Sequence, residues 1–205
     1  FPPPQAGDGD HREAMGEGAD NTRSRRRAII TGAIAAALAC VVATGILVNQ
    51  SQAQIYATRV GQVKVTPLED GSVVTLNTAS EIAVNYTDTS REIELVNGEA
   101  LFDVAKNRAR PFTVEAVDTM IRAVGTSFTV RNIPGRPVEV LVREGIVEVT
   151  RDGTVKRITA NVRAVAAAQS VAIAAIAPEK LDRELAWRDG RLAFEGETLR
   201  EAATQ

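Results

Sequence analysis

From residue 28 to residue 48 the chain reads AIITGAIAAALACVVATGILV, without a single charged side chain. Wound as a helix at 1.5 Å per residue, that run is about 31 Å long, the thickness of a bilayer's hydrocarbon core. A helix buried in a soluble core of this length keeps a polar face, and this run has none. Arg23, Arg25, Arg26 and Arg27 abut its start, while neutral Asn49, Gln50, Ser51 and Gln52 follow its end. Each arginine costs about 2.5–3.5 kcal/mol at the bilayer centre, so the cluster marks the cytoplasmic side. Contact with anionic lipid adds about 1 kcal/mol per residue near the surface. The reading predicts a single transmembrane helix over 28–48 in a bacterial inner membrane, with the N-terminus cytoplasmic and the C-terminal part periplasmic.

An export signal is the competing reading. Ser24-Arg25-Arg26 before an apolar stretch is twin-arginine-like, and Ser51-Gln52-Ala53 has the small residues of a cleavage site. The apolar run exceeds the 7–15 residues of a signal core, and a linker precedes the arginines, which favours a retained anchor. Leu38-Ala39-Cys40 is a poor lipidation motif, and Cys40 reads as a small apolar residue of the helix.

Residues 1–27 are rich in Pro, Gly, Ala and charge without an apolar period. Such a segment buries too little surface to offset chain entropy and reads as a juxtamembrane linker carrying the arginine cluster. The chain begins with Phe1 rather than Met, so further residues are expected upstream. Over the whole chain the charges nearly cancel, at a net −2, which gives no basic excess for nucleic acid. One cysteine, Cys40, excludes an internal disulfide and a thiolate zinc cluster. His11, the only histidine, leaves no histidine dyad for a conventional hydrolase. Phosphate loops and Gly-x-Ser-x-Gly elbows are lacking too, and no metal or other cofactor is expected.

Beyond Tyr56 the period changes to that of strands. VKVTPLEDGSVVTLNTASEIAVNY, REIELV, ALFDVA, FTVEA, IRAVGTSFTVR, VEVLVREGIVEVT and VKRITA alternate apolar with polar residues. Turn signals recur at Asp70-Gly71, Asn97-Gly98, Arg110-Pro111, Ile133-Pro134-Gly135, Glu144-Gly145 and Asp152-Gly153. The spacing predicts a mainly β domain over 49–177, with sandwich, barrel and solenoid-like coil all open. At Pro178-Glu179 a helix is expected to start, with Leu181 and Leu185 on one face and Trp187 after them. Leu192-Ala193-Phe194 reads as a short strand, and Thr198 with Glu201 has capping-box spacing. Residues 178–205 thus read as the beginning of a small α/β module.

Several of these stretches, in their order, resemble FecR-type proteins, the transmembrane anti-sigma regulators of iron-uptake signalling. They are Tyr56–Gly61, Leu68–Asn77, Gly98–Val104, Arg110–Val114, Ala123–Val130 and Val142–Val149. Trp187–Phe194 is similar to the family's entry into a small secretin/TonB-type module. The resemblance implies a relay. A cytoplasmic N-terminal domain, here expected upstream of Phe1, binds an extracytoplasmic-function (ECF) sigma factor. The periplasmic part senses the signalling domain of a TonB-dependent outer-membrane receptor, and site proteases acting at the membrane release the sigma factor. It also implies a regulator rather than an enzyme, apart from single-turnover self-cleavage at Gly125-Thr126, which some members carry out by moving the acyl group from nitrogen to hydroxyl. The residue types suit this step, Thr126 as hydroxyl nucleophile and Gly125 as a flexible acyl donor. The bland reading makes Gly125 a β-bulge and Thr126 an ordinary strand residue.

Asp103 and Arg110 are candidates to pair across a turn, while Phe102, Phe112 and Phe128 read as core. Asn85-Tyr86-Thr87 matches a glycosylation sequon, a tripeptide too common to weigh. The functional alternative to a signalling regulator is an exported ligand- or wall-binding β module with a cleavable twin-arginine-like signal.

Overall fold

The structure, a computed structural model, describes residues 53–167 and 170–191. The apolar run 28–48, Arg23, Arg25, Arg26, Arg27, and the expected elements at Leu192–Phe194 and Thr198–Glu201 lie outside the described residues. Among the described residues no helix is long and apolar enough to cross a membrane.

Thirteen strands make one continuous sheet that folds over on itself. They are β1 (Gln54–Ala57), β2 (Lys64–Pro67), β3 (Val73–Leu76), β4 (Glu81–Tyr86), β5 (Arg91–Asp103), β6 (Phe112–Ala116) and β7 (Thr119–Ala123). Then follow β8 (Ser127–Asn132), β9 (Val138–Glu144), β10 (Ile146–Arg151), β11 (Thr154–Thr159), β12 (Val162–Ala167) and β13 (Ser170–Ala175). Pairing divides them into two layers. The first runs β1-β4-β5-β6-β7-β10-β11 and the second β2-β3-β5-β8-β9-β12-β13. After β5, successive hairpins alternate between layers: β6–β7 in the first, β8–β9 in the second, β10–β11 in the first, β12–β13 in the second. The fold is mainly β, as the alternation predicts. It shares the two facing layers of a sandwich and the progressive winding of a coil, with a hairpin as the unit that winds.

β5 joins the layers. Its first half pairs with β4 and β6, its second half with β3 and β8. Asn97-Gly98, which reads as a turn in sequence, lies inside this strand. The register slips against β4 around Val96, so that Glu81 faces Asn97 and Ile82 faces Leu95. The resulting bulge bends the strand into the opposite layer. Gly98, at φ +93°, permits the bend, because any Cβ there would meet the Cα of Ser80 at 2.6 Å.

Between the layers lies one apolar core. Phe102 and Phe128 stack with centroids 5.4 Å apart, and Phe112 meets Phe102 edge-on at 6.0 Å. All three are fully buried, which makes them core and not a partner-binding stripe. One polar cluster is sealed at its edge. Arg91 is wholly buried, and its Nη1 donates both to Asp70 Oδ2 at 2.5 Å and to the Ala105 carbonyl, while Nη2 and Nε donate to the carbonyls of Asn107 and Arg110. The guanidinium also sits 5.4 Å over the Phe112 ring. Tyr86 Oη and Ser72 Oγ donate to the same Asp70 carboxylate. Burial pushes the Asp70 pKa up, but the hydrogen bonds from Ser72 and Arg91 outweigh it and hold the group below its ordinary value. Burial and the neighbouring Asp70 charge raise Tyr86, keeping it protonated.

Past β13 comes α1 (Pro178–Glu184), with proline in its first turn as expected. Leu181 and Leu185 join Leu141 of β9 and Ile176 in a second apolar cluster, which seats the helix on the outer face of the second layer. Arg163 of β12 pairs with Glu184 at the helix's end. A 3₁₀ turn, Ala186–Asp189, buries Trp187 and stops at Gly190 in the left-handed conformation.

Candidate functional site

The Gly125–Thr126 peptide bond lies where the chain crosses from one layer to the other, after β7 and immediately before β8. Neither residue belongs to a strand, which corrects the bland reading. The bulge in this region sits one step later, where Ser127 pairs with Glu144 but Phe128 pairs with Val142, leaving Arg143 as the extra residue. Gly125 adopts φ +74°, with the stem of Lys106 pressed against it: a Cβ at 125 would lie 2.6 Å from Lys106 Cγ and 3.0 Å from Lys106 Cα.

Thr126 is held from three sides. Its carbonyl accepts the Val104 N–H at 2.9 Å. Its methyl group rests on Gly145, the residue between β9 and β10, so closely that a Cβ at 145 would stand 2.7 Å from Thr126 Cγ2. Its preceding neighbour is packed by Lys106, as above. The hydroxyl, by contrast, is buried and has no hydrogen-bond partner. A buried hydroxyl left unpaired costs about 1–3 kcal/mol, so its position is imposed by the surroundings rather than by its own bonding. Such an oxygen retains its lone pairs for attack on a carbonyl carbon.

Beside the bond, Ser127 Oγ donates to Asp103 Oδ1 at 2.6 Å, and Arg143 Nη2 donates to the same oxygen at 3.0 Å. The expected Asp103–Arg110 pair does not form. β5 carries Asp103 into the second layer, whereas Arg110 lies in the loop returning to β6 and donates to the carbonyls of Thr87 and Ser90 at 2.6 and 3.3 Å. Of the site residues read from sequence, Gly125 and Thr126 are placed together at a corner, and Arg23, Arg25, Arg26 and Arg27 fall outside the described residues. The sequence reading missed Gly145, Val104 and Lys106 as their neighbours, since Val104 and Lys106 come from the β5–β6 loop and Gly145 from the β9–β10 turn, and no spacing along the chain joins these to Thr126.

The architecture defines a class first: a two-layer β domain with a shared central strand and hairpins that alternate between layers. Residues 54–148 match the model of the family described as FecR protein, so this stretch is a FecR-type domain. That match ends within β10, so β11–β13 and α1 lie beyond it. Two crystal structures of an anti-sigma factor candidate from Parabacteroides distasonis, at 2.50 and 1.65 Å resolution, share the fold. Each has a TM-score of 0.63 at 25% identity and covers 73% of this chain and 71% of its own. No curated protein matches the chain. Family and structural likeness together support an anti-sigma regulator.

Proposed function

We propose that this protein is an inner-membrane anti-sigma regulator whose FecR domain faces the periplasm and cuts itself at the Gly125–Thr126 bond. The observation that carries the regulatory reading is the family match over 54–148, and the shared fold of the anti-sigma factor candidate supports it. The anchor rests on the uncharged run 28–48 behind its four arginines. In this reading an ECF sigma factor is held on the cytoplasmic side, and site proteases release it when the periplasmic domain receives a signal.

The signal comes from the signalling domain of a TonB-dependent receptor, in the uptake of iron or another nutrient. A strand edge suits such docking, because its unpaired backbone groups accept an added strand. Of the four edges, β1 has only four residues, β2 carries Lys64 and Pro67, and β11 carries Lys156 and Arg157. β13, SVAIAA, has neither charge nor proline and leaves Ile173 half exposed, so it is the edge open to a partner.

Self-cleavage proceeds within one residue. Thr126 Oγ attacks the carbonyl carbon of Gly125, the C–N bond breaks, and the hydroxyl proton passes to the departing nitrogen, which becomes the free amine of Thr126. Water then hydrolyses the ester to a Gly125 carboxylate and restores the hydroxyl. The left-handed turn at Gly125 and the unpaired hydroxyl support this route. For the regulatory role, transcript profiling after gene deletion is expected to change one set of promoters, those of a single ECF sigma factor. A scattered response, or none, would overturn it.

A further inference from the structure

We infer that Gly145 is a positioning residue for the self-cleavage proposed above, acting through the methyl group of Thr126; the inference rests on that reading. A threonine has two substituents on Cβ, and where the methyl goes decides where the hydroxyl points. Here the methyl is the group seated on Gly145, with 2.7 Å between Thr126 Cγ2 and the place of a Cβ at 145. The contact leaves no space for any side chain at 145. It fixes χ1 by packing, at a hydroxyl that no hydrogen bond orients. The backbone on either side is also fixed, by the Val104 N–H on the Thr126 carbonyl and by Lys106 against Gly125. Rotation about χ1 is thus the freedom left to the nucleophile, and the β9–β10 turn removes it. The same contact accounts for the choice of nucleophile, since a serine has no methyl to hold.

Glycine at 145 has a second role that must be separated from this one, for its φ of +86° strains any other residue. Gly153 supplies the control. It occupies the next hairpin turn at φ +75° with nothing within 4 Å of a Cβ, so Gly153→Ala imposes the strain without the collision. Gly145→Ala imposes both. Restoring van der Waals distance moves Thr126 by about 1 Å, a misplacement that costs on the order of 100-fold in rate. Replacing Thr126 by Ser removes the methyl and leaves Thr126 Cβ as the nearest atom, at 3.2 Å, a tightness that small shifts relieve.

The test follows fragment appearance on denaturing gels after synthesis of the full chain, with circular dichroism melts confirming a folded domain in every variant. The expected order has Gly153→Ala near the parent rate and Gly145→Ala slower by about tenfold or more. Thr126→Ser is expected to fall between them. The double variant Gly145→Ala/Thr126→Ser should cleave faster than Gly145→Ala alone, because the collision is gone although the strain at 145 persists. Cleavage of Gly145→Ala at the parent rate would overturn the inference and leave self-cleavage standing. So would a double variant no faster than Gly145→Ala, which would assign the effect to backbone strain. A parent chain that stays uncut would remove the self-cleavage reading itself, and the inference with it.

Discussion

At the scale of single residues, Arg91 and Thr126 are two buried polar groups of opposite character. At Arg91 every strong donor is directed, to Asp70 and to three loop carbonyls, and the cluster ties the Asp70 turn and the 105–110 loop to the start of β5. At Thr126 the hydroxyl has no partner. The first is an anchor and the second the nucleophile of the proposed cleavage, and the anchored loop includes Lys106, which packs on Gly125. Removing one member of a buried ion pair leaves the other charge uncompensated, so Arg91→Leu is expected to destabilise the domain by about 3–5 kcal/mol in urea unfolding. A loss under about 1 kcal/mol would show the pair to be dispensable. Asp70 also sets an acid limit. Its native pKa lies below the ordinary 3.8, so the stability it contributes is complete above that value and disappears as the pH falls through the native one. Melting temperature measured from neutral pH down past 3.8 should therefore fall less steeply for Asp70→Asn than for the parent, from a lower starting point. Arg91 was legible in part: in Arg-Glu-Ile-Glu-Leu the arginine shares the face of Ile93 and Leu95, the buried face of a strand of period two. Its carboxylate partner was not, being 21 residues upstream in a turn.

Among the elements, β5 and β13 separate what alternation reveals from what it hides. The existence of strands was readable because polar and apolar residues alternate across a half-buried layer, and Asp152-Gly153 formed the expected two-residue hairpin turn, both residues at positive φ. Asn97-Gly98 has the same composition but bends a strand between layers instead of ending it. The difference lies in Ser80, which crowds Gly98 from another part of the chain. β12 and β13 escaped notice because alanine fills both their faces, VRAVAA and SVAIAA, and alanine carries almost no period. That same plainness leaves β13 as an unguarded edge. Ile173→Lys is expected to leave stability within about 0.5 kcal/mol, as exposed substitutions do. It should weaken capture of the receptor's signalling domain in a binding isotherm, since edge charge opposes strand addition. Unchanged affinity would place docking elsewhere.

For the whole molecule, the proposed function requires the two-layer domain to be joined to a membrane anchor and to be cut at its Gly125-Thr126 corner. The corner was legible as a motif, Gly125-Thr126, but its geometry was not, because two distant loops, β5–β6 and β9–β10, build its walls. Topology has its own check, on a Cys40→Ala background. A cysteine at Val117, four-fifths exposed in the β6–β7 turn, should react with an impermeant maleimide added to spheroplasts. Protection until lysis would put the domain on the cytoplasmic side. The most direct test is the intact mass of the purified chain. Two species are expected, one ending at Gly125 and the other beginning at Thr126, whose masses together equal the uncut chain plus one water, and Thr126→Ala should give the uncut chain alone. A single full-length mass for the parent protein would contradict the account.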